Sequence, residues 1–79
     1  MNFIAHIDID ERSRHPKYRQ VADGIIENIT AGRIQLNDRI PSINLLSEEL
    51  DLSRDTIEKA YNILKDRGII TSVKGKGYY

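Results

Sequence analysis

Seventy-nine residues, 39% of them hydrophobic and 30% charged, make one small globular domain near the lower size limit for a self-sufficient core. Without cysteine there is neither a disulfide framework nor thiolate chemistry, and a small unstapled domain fits a reducing interior. The formal net charge is zero but unevenly spread: residues 1–52 hold six Lys and Arg against nine Asp and Glu, and residues 53–79 hold six against three. A neutral domain of that kind can still present a basic face to phosphate, the plain alternative being a solvated charge pattern with no partner. No apolar run approaches the length of a membrane span, and the start MNFIAHIDID lacks the basic residues and apolar stretch of a signal peptide. The expected location is the cytoplasm, with no membrane partner.

The leader, residues 1–15, alternates in its first ten positions. Phe3, Ala5, Ile7 and Ile9 fall on one side and Ile4, His6, Asp8 and Asp10 on the other, which predicts an N-terminal edge strand. His6, Asp8 and Asp10 are metal-ligand types, but with no fourth ligand nearby a solvent-facing polar stripe is the preferred reading. No metal or cofactor is expected.

Pro16 suits the first turn of a helix that Gly32 ends. At about 100° per residue, Tyr18, Val21, Ala22, Ile25 and Ile29 share a core-facing side, with Asp23, Glu27 and Asn28 away from it. Residues 33–41, RIQLNDRIP, form a link anchored by Ile34 and Ile40, with Asn37 able to take the left-handed conformation of a turn. Ser42 caps a second helix, Ile43 to about Leu50, that buries Leu46 and Leu50; the place of Leu45 is left open.

After the short turn Asp51-Leu52-Ser53, Ser53 caps a third helix. Ile57, Ala60, Tyr61 and Leu64 at i, i+3, i+4 and i+7 give its core stripe, and Gly68 stops it after Lys65 and Arg67. Residues 69–73 and 77–79 then read as two short strands around Lys74-Gly75-Lys76. The expected core also takes in Leu36, Ile69 and Val73. The fold class is mainly α with a small hairpin, a winged helix-turn-helix of three helices and a two-stranded wing.

In that architecture the N-terminal turn of the third helix enters a major groove of double-stranded DNA. Arg54 has the fork to pair with O6 and N7 of guanine, and Thr56 can meet phosphate or a thymine methyl. Asp55 can accept from cytosine or orient Arg54 or Lys59. Lys59 should reach the backbone, Glu58 can pair with Arg54, and Lys74 and Lys76 suit a minor groove or its phosphates. Catalysis is not expected: only His6 and His15 offer imidazole, Ser42 and Ser53 read as caps, and no nucleophile–base pair can be assembled. A winged helix that grips a protein is the rival binding reading, supported by Asp55, Glu58 and Asp66; steep salt dependence would mark DNA instead.

From Pro16 to Tyr79 the chain resembles the gluconate-repressor-like (GntR) transcription regulators. The matching segments are PKYRQVADGI, ITAGRIQLNDRIPS, LSEELDLSRDTIEKAYNILKDRGII and GKGYY. The resemblance implies phosphate contacts from Lys17 and Tyr18, a second-helix contact at Asn44, base or phosphate contacts from Ser53, Arg54 and Thr56, and minor-groove contacts around Gly75; Ser42, the cap of that helix, is counted with the DNA-binding residues. Asn44 stands where many members have arginine, Glu58 where several have a basic residue, and Asn37 replaces the usual turn glycine. The resemblance also implies homodimers on inverted-repeat operators, an effector-responsive repressor in full-length form, and a C-terminal domain for the small-molecule effector that this chain has no room for. Residues 16–79 are thus expected to form the DNA-binding domain behind a leader of residues 1–15, monomeric by itself, with weak and salt-sensitive affinity.

Overall fold

Pro16 precedes the first helix, its fixed φ of −57° leading the chain into α1, Lys17–Thr30. The computed structural model describes residues 3–35, 38–73 and 75–79, without the side chains of Phe3 and Ala5. The expectations for Leu36 in the core, Asn37 in the turn and Lys74 in the wing lie outside the described residues, as do those for the Phe3 and Ala5 side chains. After it come α2, Ile43–Leu50, α3, Arg54–Asp66, and the antiparallel strands β1, Ser72–Val73, and β2, Gly77–Tyr78.

Helices α1 and α3 pack together, and α2 rests on α3. Ser42 and Ser53 cap α2 and α3 as the sequence predicts, accepting from the amides of Leu45 at 3.1 Å and Thr56 at 3.2 Å. All three helices end the same way. The amide two positions past each last turn reaches back five residues, Arg33 to Asn28, Leu52 to Ser47 and Ile69 to Leu64. The residue between is left-handed, which glycine supplies at positions 32 and 68 and Asp51, at φ 54°, supplies in the helix-turn-helix turn.

The core gathers Val21, Ala22, Ile25, Ile34, Ile40, Leu46, Ile57, Ala60, Tyr61 and Leu64, all expected to be buried. Tyr18, Ile29, Leu50 and Ile69 are half-buried against it. Leu45 is exposed.

Four expectations are corrected. The leader forms a 3-10 turn over Phe3–His6 in place of an edge strand, because sheet pairing needs a neighbouring strand and the wing lies elsewhere. Ile7 then drops into the core beside Gly24 of α1, where an added Cβ would come 3.2 Å from Ile7 Cγ2. Asn28 is buried at 1% exposure, not solvent-facing; its amide donates to the Gly24 carbonyl at 2.7 Å and its oxygen accepts from Arg33 Nη1 at 3.3 Å. The first wing strand is shorter than 69–73, since the amides of Ile69 and Ile70 turn back to the Leu64 carbonyl and close α3. Ile70 therefore fills the core, and Val73, 40% exposed, does not.

The wing has a third, one-residue strand. Ile40 bridges Tyr78, its amide donating to the Tyr78 carbonyl at 2.9 Å, and Thr71 and Tyr79 exchange two bonds of 2.9 Å at the base of the hairpin.

Candidate nucleic-acid interface

The first turn of α3 projects from the packed helices with Ser53, Arg54 and Asp55 exposed and Thr56 half-buried. Ser53 is engaged with its own helix: its hydroxyl accepts the Thr56 amide and lies 2.8 Å from Thr56 Oγ1. The cap and this contact occupy both hydroxyls, which leaves Arg54 as the long unpaired side chain of the turn. Among the described residues the ion pairs are Lys17 with Glu11 at 2.7 Å and Arg19 with Asp23 at 3.9 Å. The Arg54–Glu58 pair is not formed, and Asp55 holds neither Arg54 nor Lys59.

One turn along α3, Lys59 Nζ lies 5.8 Å from the centre of the Tyr18 ring. That cation–π contact joins two residues from separate segments, the start of α1 and the outer face of α3. Lys17, beside Tyr18, reaches the leader at Glu11. The leader is fixed there by Gln20, whose Oε1 accepts the Asp10 amide at 2.7 Å while Nε2 donates to the carbonyls of Asp10 at 3.1 Å and His15 at 3.0 Å. Sequence reasoning misses this clasp, because nothing in an alternating leader marks a glutamine ten residues on as its partner.

On α2, Ser42 caps the helix and Asn44 is exposed, its carbonyl accepting from the Ser47 hydroxyl at 2.8 Å. At the far side Gly75 and Lys76 are exposed at the hairpin tip, which the Lys76 amide closes on the Val73 carbonyl at 2.9 Å. The wing is locked to α3 by Tyr61. Its ring meets Tyr78 edge-on at 4.8 Å and 66°, and its phenol donates to the Pro41 carbonyl at 2.6 Å. Burial, and then the neighbouring Tyr78, push the Tyr61 phenol above its ordinary pKa.

A groove of about 300 Å³ between α1 and α3, lined by Tyr18, Arg19, Ala22, Asp23, Ile63 and Arg67, holds no serine, histidine or other nucleophile–base pair. Among the described residues no three His, Asp or Glu gather as metal ligands, and the 3-10 turn breaks the alternation that would align His6 with Asp8 and Asp10. No helix among them is long and apolar enough to cross a membrane.

Two stacked helices joined by a tight turn, a third behind them and a basic hairpin beside the exposed helix define a winged helix-turn-helix. The family model for bacterial regulatory proteins of the gntR family matches residues 17–79. The repressor YtrA of Bacillus subtilis is 34% identical over 73 residues, 92% of this chain and 56% of the relative. The mannosyl-D-glycerate transport/metabolism repressor MngR of Escherichia coli is 38% identical over 64 residues, 81% of this chain and 27% of the relative. Among solved structures, YtrA from Sulfolobus acidocaldarius, a GntR-family transcription factor, superposes with a TM-score of 0.87 at 42% identity, covering 92% of this chain and 77% of that one. The DNA-binding domain of AraR, solved in complex with an operator, gives 0.82 at 33% identity, covering 94% and 95%. The chain belongs to the gntR family and carries its winged helix-turn-helix DNA-binding domain. It spans between about a quarter and just over half the length of the curated repressors it matches.

Proposed function

We propose that this domain reads a double-stranded operator with the first turn of α3 in the major groove and the hairpin tip at the minor groove. The observation that carries the reading is Arg54, exposed and unpaired at a helix start where the Ser53 hydroxyl caps the helix and also engages the Thr56 hydroxyl. Arg54 is the base reader, with Thr56 and Asp55 beside it. Lys17, Tyr18, Lys59, Lys74 and Lys76 hold the phosphate backbone, with Gly75 allowing close approach and Asn44 reaching from α2. Ser42 and Ser53 act chiefly by fixing their helices. Residues 16–79 form the DNA-binding unit, and the leader braces it.

In its full-length form the protein is proposed to be a cytoplasmic, effector-responsive repressor that dimerises on an inverted repeat. Support comes from the repressor names of MngR and YtrA and from the AraR domain solved on its operator. A binding function without catalysis fits the same relatives.

The test is a titration at two salt concentrations against a random duplex and a palindrome selected from a random pool. Salt-sensitive binding that prefers the palindrome, with the preference lost in Arg54→Ala, is the expected result. Absence of binding to either duplex at low salt would sink the reading.

A further inference from the structure

The outer face of the wing carries a cation that the site above leaves out. Alternation along the strands, with Val73 opposite Gly77 and Ile40 opposite Tyr78, puts Ile40 and Tyr78 on the core side and Val73, Gly77 and Arg39 on the other. Arg39 stands across from Tyr79 in that register, and its side chain runs diagonally to Gly77, a reach open to long side chains in antiparallel pairs. A Cβ at Gly77 would lie 3.1 Å from Arg39 Nε, 3.4 Å from Nη2 and 3.7 Å from Cζ. The guanidinium therefore occupies the space that any other side chain at 77 would need, one residue from the tip cation Lys76.

Arg39 is exposed, and among the described residues no carboxylate comes within ion-pair distance of it. Its acidic neighbour Asp38 turns away to accept the Gln35 amide at 2.8 Å. A guanidinium is permanently charged, weakly hydrated and forked to match phosphate oxygens. We propose that Arg39 is a phosphate-binding residue of the wing, laid over Gly77 and acting with Lys76 as a two-cation clamp on the duplex backbone. The inference rests on the DNA-binding reading above. Since phosphates carry no base information, Arg39 contributes affinity on every sequence, unlike Arg54.

Wild type, Arg39→Ala and Arg39→Lys are titrated across a salt series against the selected palindrome and a random duplex of equal length. Arg39→Ala is expected to weaken both duplexes to the same extent and to lower the slope of log K against log salt by about one, with Arg39→Lys keeping the slope. Arg39→Gln, which keeps the stem over Gly77 and removes the charge, should match Arg39→Ala and serves if the alanine variant melts lower. Unchanged affinity and slope in the uncharged variants, while wild type binds, would overturn the inference and leave the DNA-binding reading standing. A loss confined to the palindrome would also overturn it, by making Arg39 a base reader. A wild type that binds neither duplex would remove both.

Discussion

Tyr61 donates its phenol to the Pro41 carbonyl over 2.6 Å, joining the middle of α3 to a loop twenty residues earlier in the chain. Pro41 lies between Ile40, the wing's third strand, and Ser42, the cap of α2. One hydroxyl thus ties together the reading helix, the helix before it and the wing, while its ring holds Tyr78 edge-on. The placement of α3 relative to the wing therefore rests on this junction as well as on the apolar core.

Tyr61→Phe should keep the ring contact and lose the hydrogen bond, at a cost of about 1–3 kcal/mol because the Pro41 carbonyl is left without its partner. The variant should also change the alkaline response. Burial raises the Tyr61 pKa above its ordinary 10.0, so above that pH the unfolded chain releases a proton that the native state retains. The contribution of this group to stability is full below pH 10 or so and is lost as pH rises further. Urea unfolding followed from neutral pH into that range should show wild type losing more stability than Tyr61→Phe. Parallel losses would mean the phenol is not held neutral by the fold.

Arg54→Ala should leave the melting temperature unchanged within error, since the side chain is exposed and makes no ion pair. Its effect should fall on discrimination, by about 1–3 kcal/mol between the selected palindrome and a one-base variant at the contacted position. Competition binding measures that difference directly, and full discrimination in the variant would remove Arg54 from base reading.

Ile57→Ala and Leu64→Ala empty positions that are wholly buried, and each should cost about 2–5 kcal/mol. A domain of this size has a total stability of only about 5 kcal/mol or somewhat more, so either change removes a large share of it and is expected to lower the melting temperature well below wild type by circular dichroism. Native-like melting of either would mean that the core closes around the gap.

What was legible in the sequence follows from how local each signal is. The α2 and α3 bounds were readable because Ser42 and Ser53 announce the starts and Gly68 the stop, each acting within a turn of itself. The stripe Ile57, Ala60, Tyr61 and Leu64 was readable because helical period alone fixes a face. Arg54 was readable as an exposed, unpaired cation because it directly follows a cap. The wing's third strand was not, since Ile40 and Tyr78 are far apart in the chain and a single bridging residue leaves no periodic trace. The leader misled for the opposite reason: its alternation is real, but period two gives a strand only where an edge is available to pair with. Asn28 looked polar and exposed, and only the folded chain shows Gly24 and Arg33 satisfying it.

The leader's contact makes its own prediction. Ile7 is buried, and a methyl added at Gly24 would press on it at 3.2 Å. Gly24→Ala alone should gain little or lose, because helix propensity worth about 1 kcal/mol is offset by displacing Ile7. In an Ile7→Ala background the same change should stabilise by most of that amount. A double-mutant cycle by chemical denaturation reads the coupling, and strict additivity would show that the leader does not rest on α1 in solution.

The Lys59–Tyr18 contact separates two roles that a tyrosine at this position can play. The ring can hold Lys59 toward the backbone, and the hydroxyl can itself reach a phosphate. Tyr18→Phe keeps a π face, so Lys59 should stay in place and only the hydroxyl's contact is lost. Tyr18→Leu removes the face as well, releasing a cation–π contact worth about 0.5–1 kcal/mol at an exposed site. Binding to all duplexes should therefore fall in the order wild type, Tyr18→Phe, Tyr18→Leu, with Lys59→Ala in the leucine background costing less than in wild type. Equal binding by the phenylalanine and leucine variants would assign the whole effect to the hydroxyl and leave Lys59 independent of the ring.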